Sequence, residues 1–319
     1  MAGFYGTSLN ADLRYLIDTI CVGGIILFSR NIENAGQVQR LCADARAYAA
    51  SCGHPPLIIA VDQEGGQVAR LKPPDFTELP AAARIRNASE AAEFAGIAAI
   101  ELSRAGINMN MAPVMDVADS GGKSVMTGRA FSNDPEKVAK MGTAVISGLQ
   151  KNRIMAVAKH FPGIGRTFTD SHTDRPDLEI SAAELEARDL VPFSAAIGNH
   201  AAGIMLSHVR YAVFDRKWPA SLSPAVAREL LREKMGYTGL VLTDDLEMGA
   251  IARYYELPDA VRQILEADID IALICHSMAK IESAFETIYA QYAENQFCGR
   301  LGQPVARILA AKEIYLGQA

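Results

Sequence analysis

The sequence predicts an α/β fold, a (β/α)8 barrel of the TIM type with a shortened first strand. Three observations predict it. Seven short apolar, β-branched runs are separated by amphipathic, helix-period segments, which is the βα alternation of a parallel sheet. The runs lack strict apolar/polar alternation, as strands buried on both faces do. Nearly every run closes on its C-terminal side with ionisable residues, and in a parallel barrel those ends form one rim. The rival is an open doubly wound sheet. Such a sheet normally carries a glycine-rich phosphate turn, and no GxGxxG or GxxxxGK[ST] follows a run here.

In chain order the runs are GGIILFSR (23–30), LIIAVDQE (57–64), INMNMAPVMDV (107–117), IMAVAKHFPG (154–163), GIMLSHV (203–209), GLVLTDDLEM (239–248) and IDIALICHS (269–277). Seven is one short of a closed barrel, and residues 1–6 (MAGFYG) supply the remaining short strand. Helices are expected over 34–50, 88–104, 134–152, 181–198, 224–235 and 258–267. Ser89, Ser181 and Ser223 serve as N-caps. The tail, 278–316, reads as helical with a break over 298–304. The Met-rich stretch Met109, Met111, Met115 reads as barrel filling.

The 319 residues allow two domains of ~150 or one barrel. No linker or low-complexity tract divides them, so residues 1–319 are expected to form a single catalytic domain. There are 31 Lys+Arg against 37 Asp+Glu, a net charge of −6. That balance speaks against nucleic acid as a partner. No apolar run approaches the ~18 residues of a membrane span, so no membrane partner is expected. The start shows no basic region followed by an apolar one, and a cytoplasmic location is expected. The five cysteines are odd in number and scattered, with no CxxC. Neither a disulfide framework nor a zinc site is indicated; no metal and no cofactor are expected.

Three segments concentrate the chemistry. In 159–176 a strand ends in Lys159-His160 and a loop carries Asp170 and His172. A carboxylate two residues from an imidazole can orient it and raise its pKa, which makes an acid/base near neutrality. The same residues also suit a surface loop making turn bonds, and spacing does not separate the two. In LTDDLEM, Asp244 and Asp245 are adjacent at a strand end. One can enter a pocket as nucleophile or base while the other caps the next helix; alternatively both cap or face solvent. In VDQEGGQVARL, Asp62 and Glu64 precede a Gly-Gly turn and Arg70 follows. Carboxylates beside cations suit sugar hydroxyls, although an Asp–Arg structural pair fits as well. His54, His200 and His276 are less persuasive, and Trp218 suits packing better than sugar stacking.

Taken together, GGIILFSRNI, VDQEGGQVARL, MAPVMDV, TGRAFSNDP, KHFPGIG…DSH, MLSHV and LTDDLEM resemble the family 3 glycoside hydrolases. The resemblance is to their single-domain bacterial β-N-acetylglucosaminidases and runs from about Gly23 to Met248 in order. The KHFPG–DSH combination is its most specific part. The resemblance implies Asp244 as nucleophile, His172 as general acid/base with Asp170 as its partner, and Asp62, Arg70, Arg129, Lys159 and His160 as residues holding the terminal sugar. It also implies a retaining mechanism on terminal β-linked N-acetylglucosamine, a small carbohydrate ligand, and peptidoglycan fragments as its source. Three departures stand out. Ile164 replaces the family's usual His, Gln67 its usual Arg, and the first strand is short. A phosphorylase acting on the same linkage, a catalytically silent sugar-binding barrel, and a Schiff-base aldolase using Lys159 are the competing readings. Oligomeric state is not legible.

Overall fold

The computed structural model describes residues 1–119, 121, 124–167, 176–293 and 298–317. Seven parallel strands form one sheet in sequence order: β1 (Gly24–Leu27), β2 (Ile58–Val61), β3 (Met109–Asn110), β4 (Met155–Phe161), β5 (Gly203–Leu206), β6 (Leu240–Asp245) and β7 (Ile271–Leu273). All seven expected runs become strands, each shorter than its apolar run. The short β3 is reinforced by side chains. Asn108 Oδ1 accepts from Ile59 N–H at 2.8 Å, and Asn110 bonds both the N–H and the C=O of Gln63.

Two apolar layers explain the unbroken runs. Ile26, Ile58, Ala60, Met109, Met155, Val157 and Leu242 fill the barrel interior. Their neighbours Ile25, Leu27, Ile59, Val61, Ala156, Ala158 and Val241 face the surrounding helices. Side chains alternate faces along a strand, so both parities must be apolar. Met115 belongs to the outer layer, not to the barrel filling expected of it. There its sulfur occupies the space left by Gly142.

The N-terminus closes the sheet. Ala2 bridges Ile25 of β1 on one side and Ile274, just after β7, on the other. Ala2 N–H donates to Gly24 O at 3.1 Å, and Gly3 N–H donates to Ile274 O at 2.9 Å. The expected first strand is thus reduced to one doubly paired residue, yet it joins the two edges. An open edge presents unpaired backbone groups, which this short segment satisfies.

The outer layer begins with α1 (Ala11–Asp18), α2 (Ala35–Ser51), α3 (Ala88–Ala105), α4 (Pro135–Lys151) and α5 (Leu190–Gly198). A π-helical segment, Ala225–Lys234, precedes α6 (Leu257–Glu266), α7 (Met278–Ala293) and α8 (Cys298–Leu316). Ser181 and Ser223 cap as expected, but Asn87, not Ser89, caps α3 by accepting from Glu90 N–H at 3.1 Å. The expected break over 298–304 is helical. Pro304 lies within α8, where a 19-residue helix tolerates the loss of one N–H bond. Among the described residues no helix is long and apolar enough to cross a membrane.

A methyl group on Gly3 would lie 2.1 Å from Cys275 O. We therefore expect Gly3→Ala to push the closing segment off β7 and lower stability by ~1–3 kcal/mol. Thermal unfolding and hydrogen exchange at Ile274 would check this; unchanged exchange there would show that the bridge does not close the barrel.

Candidate active site

The C-terminal rim of the strands encloses a pocket of about 260 Å³. Asp62, Arg70, Arg129, Lys159, His160 and Asp244 all line it, so six of the eight residues singled out from sequence meet in one place. Asp170 and His172 lie outside the described residues.

The wall after β2 is a small hairpin. Gln63–Gly65 pairs antiparallel with Val68–Ala69. Gly65 and Gly66 turn the chain with φ of 87° and 57°, and a side chain on Gly65 would strike Pro80 O. The Gln63 side chain ties the hairpin base by accepting from Arg70 N–H and Leu71 N–H at 2.8 and 3.0 Å. Arg70 is thereby carried back over Asp62, with Nη2 3.4 Å from Oδ2. The Asp–Arg pair weighed from sequence exists, but it is only one edge of a larger network. Among the described residues the buried Arg70 Nε has no hydrogen-bond partner.

Lys159 is the centre of that network. It is 3% exposed, and its Nζ sits 2.8 Å from Asp62 Oδ1 and 2.7 Å from Glu64 Oε1. Arg129 grips Glu64 with two bonds, Nε to Oε2 at 2.9 Å and Nη2 to Oε1 at 2.8 Å. Burial raises the Glu64 carboxyl, but Lys159 and Arg129 outweigh it and hold it down at about 2. Burial lowers the Lys159 ammonium, but Asp62 and Glu64 overcome this and the net shift is upward. A lysine locked in its charged form is no amine nucleophile, which removes the Schiff-base reading. Glu64, a central member of the site, was noticed in sequence only as part of its segment.

The Lys159 and His160 side chains both line the pocket although they are adjacent on β4. The pairing of β4 with β5 shifts register between Lys159 and Phe161. Such irregularities re-aim side chains at barrel rims. His160 Nδ1 is 2.7 Å from Asp116 Oδ2. A carboxylate only accepts, so Nδ1 carries the proton. Asp116, fully buried, also accepts from Ile164 N–H at 2.7 Å and so fixes the loop after β4. Arg166 Nε binds Asp189 Oδ2 at 3.1 Å, and Tyr211 Oη donates to Gly163 O at 2.7 Å.

Asp244 and Asp245 both line the pocket. The expectation that one enters while the other only caps needs correction: Asp245 Oδ1 accepts from Glu247 N–H at 3.1 Å and still faces inward. The register shift of β6 against β7, between Leu242 and Asp245, accompanies this. Asp244 Oδ1 accepts from Asp245 N–H at 2.8 Å. Burial pushes the Asp244 carboxyl up, but His208, His160, the Asp245 N–H and Lys159 outweigh it. It titrates below the ordinary carboxylate value and is ionised at neutral pH. His208 supports the strand end from behind, with Nδ1 2.7 Å from Ser221 Oγ and Nε2 2.8 Å from Asp245 O.

His276, passed over in the sequence, also lines the pocket. Its position after β7, in the register of the other strand-end groups, was the available signal. Trp218 packs on Tyr255 with ring centroids 5.1 Å apart and does not line the pocket, in keeping with its packing role. Ile164 lines the pocket, whereas Gln67 is exposed outside it.

Comparison with known proteins agrees with this architecture. The glycosyl hydrolase family 3 N-terminal domain matches residues 4–309. A beta-hexosaminidase of Methylococcus capsulatus is 38% identical over 294 residues, covering 90% of this chain and 86% of that protein. The structure of a family 3 beta-N-acetylglucosaminidase from Paenibacillus sp. superposes with a TM-score of 0.97 at 37% identity. It takes in 100% of this chain, which spans 61% of the Paenibacillus protein. NagZ from Neisseria gonorrhoeae, solved with N-trifluoroacetyl-D-glucosamine, gives a TM-score of 0.81 at 34% identity over 90% of this chain and 84% of its own. With its rim pocket, its closed sheet and a match over nearly its whole length, the chain belongs to glycosyl hydrolase family 3.

Proposed function

We propose that the protein is a retaining β-N-acetylglucosaminidase that removes terminal, non-reducing β-linked N-acetylglucosamine. The observation that carries the reading is an ionised, buried Asp244 facing a pocket whose other wall is the Asp62–Lys159–Glu64–Arg129 network. A carboxylate must be ionised to attack an anomeric carbon. Fixed polar groups opposite it give a sugar one orientation, which serves near-attack geometry. The acetamido preference and the choice of peptidoglycan fragments rest on the resemblance and on the relatives' names.

In the proposed reaction Asp244 attacks the anomeric carbon, and the glycosidic C–O bond breaks through an oxocarbenium-like transition state. Asp62, Arg70, Arg129, Lys159 and His160 hold the terminal sugar. His172, with Asp170 as its partner, gives its proton to the departing oxygen. It then takes a proton from the water that hydrolyses the glycosyl-aspartate. This role for His172 is the one the family resemblance implies.

Release of 4-nitrophenol from its β-N-acetylglucosaminide and its β-glucoside, with and without phosphate, tests the reading. We expect strong preference for the acetamido sugar and free N-acetylglucosamine as product. A sugar 1-phosphate formed only with phosphate would make the protein a phosphorylase, and no turnover of either by folded protein would make it a silent binder. Asp244→Asn should lower kcat by at least ~10³-fold while leaving the fold intact; full activity would end the assignment. Removing His172 should slow poor leaving groups far more than good ones, because only the former need a proton. Equal losses would argue against an acid role.

Lys159→Met would leave Asp62 and Glu64 facing each other without their shared cation. Breaking a buried pair from one side costs ~3–5 kcal/mol. We expect a lower Tm, read by calorimetry, together with loss of sugar binding; an unchanged Tm would mean that the two carboxylates do not depend on Lys159.

A further inference from the structure

Among the described residues the charges lining the pocket do not balance. Asp62, Glu64, Asp244 and Asp245 face Lys159, Arg129 and Arg70, and the first two carboxylates are the ones these cations contact. Asp244 lies in the field of His208, His160 and Lys159. Asp245 is left over from these contacts, and beside it stands a histidine. His276 Nε2 is 3.4 Å from Asp245 Oδ2.

The other ring nitrogen of that histidine is not free to take a proton. Arg30 Nη1 lies 3.1 Å from His276 Nδ1. Arginine can only donate, so Nδ1 must accept, and the imidazole proton sits on Nε2, facing Asp245. Arg30 is held in place. Its Nε donates to Phe4 O at 2.9 Å, its Nη2 to Cys275 O, and its guanidinium stacks on the Phe28 and Tyr5 rings at 4.5 and 4.6 Å. The Phe28 ring also lies 5.5 Å from that of His276.

We propose that Arg30, His276 and Asp245 form a chain in which Arg30 keeps His276 neutral, so that Asp245 receives an N–H dipole and no counter-charge, and adds a titrating negative charge beside Asp244. His276 and Arg30 are then positioning residues that act through Asp245. The inference rests on the glycosidase reading for its consequence: positive charge develops on the sugar in the transition state, and an ionised Asp245 in the same wall favours it.

The remaining groups around Asp245 agree with such a titration. On its own strand end, Asp244 and Glu247 oppose its ionisation, while the Glu247 N–H supports it. After β7, the Cys275 thiol lies beside it. His208 Nε2 meets its carbonyl oxygen at 2.8 Å, and Lys280 of α7 is drawn to Glu247, 3.5 Å away. Burial first, then the charges of Glu247 and Asp244, raise Asp245 to about 6. Burial, then Arg30, and last Lys280 lower His276, and together they outweigh Glu247, which raises it.

The experiment follows Asp245 by ¹³C carboxyl NMR, assigned by its loss in Asp245→Asn, beside the pH profile of kcat on a neutral aryl β-N-acetylglucosaminide. In the wild type we expect the carboxyl to titrate near pH 6 and kcat to rise through the same pH. His276→Ala removes the N–H, so both should move up by ~0.5–1 pH unit. Arg30→Met lets His276 protonate against Asp245, so both should move down. Asp245→Asn should abolish that limb. Opposite shifts are not what general loosening of the rim would give. Unmoved titration in both variants, or shifts of one sign, would overturn the chain. Should the wild type turn over no hexosaminide, the function reading fails, and the NMR titration still decides the chain.

Discussion

The site depends on one contact: the buried Lys159 ammonium held between Asp62 and Glu64 at the rim. Two carboxylates that near each other repel, and the ammonium between them offsets the repulsion. With Arg129 it holds Glu64 ionised as a permanent acceptor. It also ties β4 to the end of β2 and to the hairpin beyond it, across β3. Burying ions is costly, and an apolar replacement of the whole set would stabilise the barrel as well or better. The network is explained by the polar ligand it can orient, not by stability.

The barrel itself was legible because its cause is local. A strand covered on both faces needs apolar residues at both parities, and the seven runs carry them. Strand-end polarity then located the rim. What the sequence did not show depends on contacts between distant positions. Asn87 wins the cap of α3 over Ser89 by its relation to Glu90, a choice of one residue that composition leaves open. Ala2 joins two edges that are 249 positions apart (23 to Ile25, 272 to Ile274). Glu64 and His276 looked ordinary because their partners, Arg129 and Arg30, lie 65 and 246 residues away.

Register explains why motif reading placed Asp245 poorly. Period-two alternation sends neighbours to opposite faces, so Asp244 inward implied Asp245 outward. The irregular pairing of β6 with β7 breaks the alternation at that point, as the β4–β5 shift does at Lys159 and His160. Both irregularities sit at C-terminal strand ends. Each lets two consecutive ionisable side chains enter one pocket, which doubles the chemistry a single strand contributes.

The same reasoning bears on Ile164, where the resemblance noted from the sequence leads to the expectation of histidine. The loop after β4 is held through its backbone: Ile164 N–H on Asp116, Gly163 O on Tyr211, and Gly165 so close to Val117 that a methyl would meet its carbonyl at 1.8 Å. None of these contacts uses the side chain at 164. Replacing an imidazole by a sec-butyl group leaves the loop's anchor intact, and with it the bond that sets the His160 tautomer. What changes is the wall. Ile164 stands with Val125 and Met126 on the pocket lining, so one face that a histidine would make polar is apolar in this chain. On the proposed reading the sugar hydroxyls meet the Asp62, Lys159 and His160 side, and a substituent lying against Ile164 is one that loses little by leaving water.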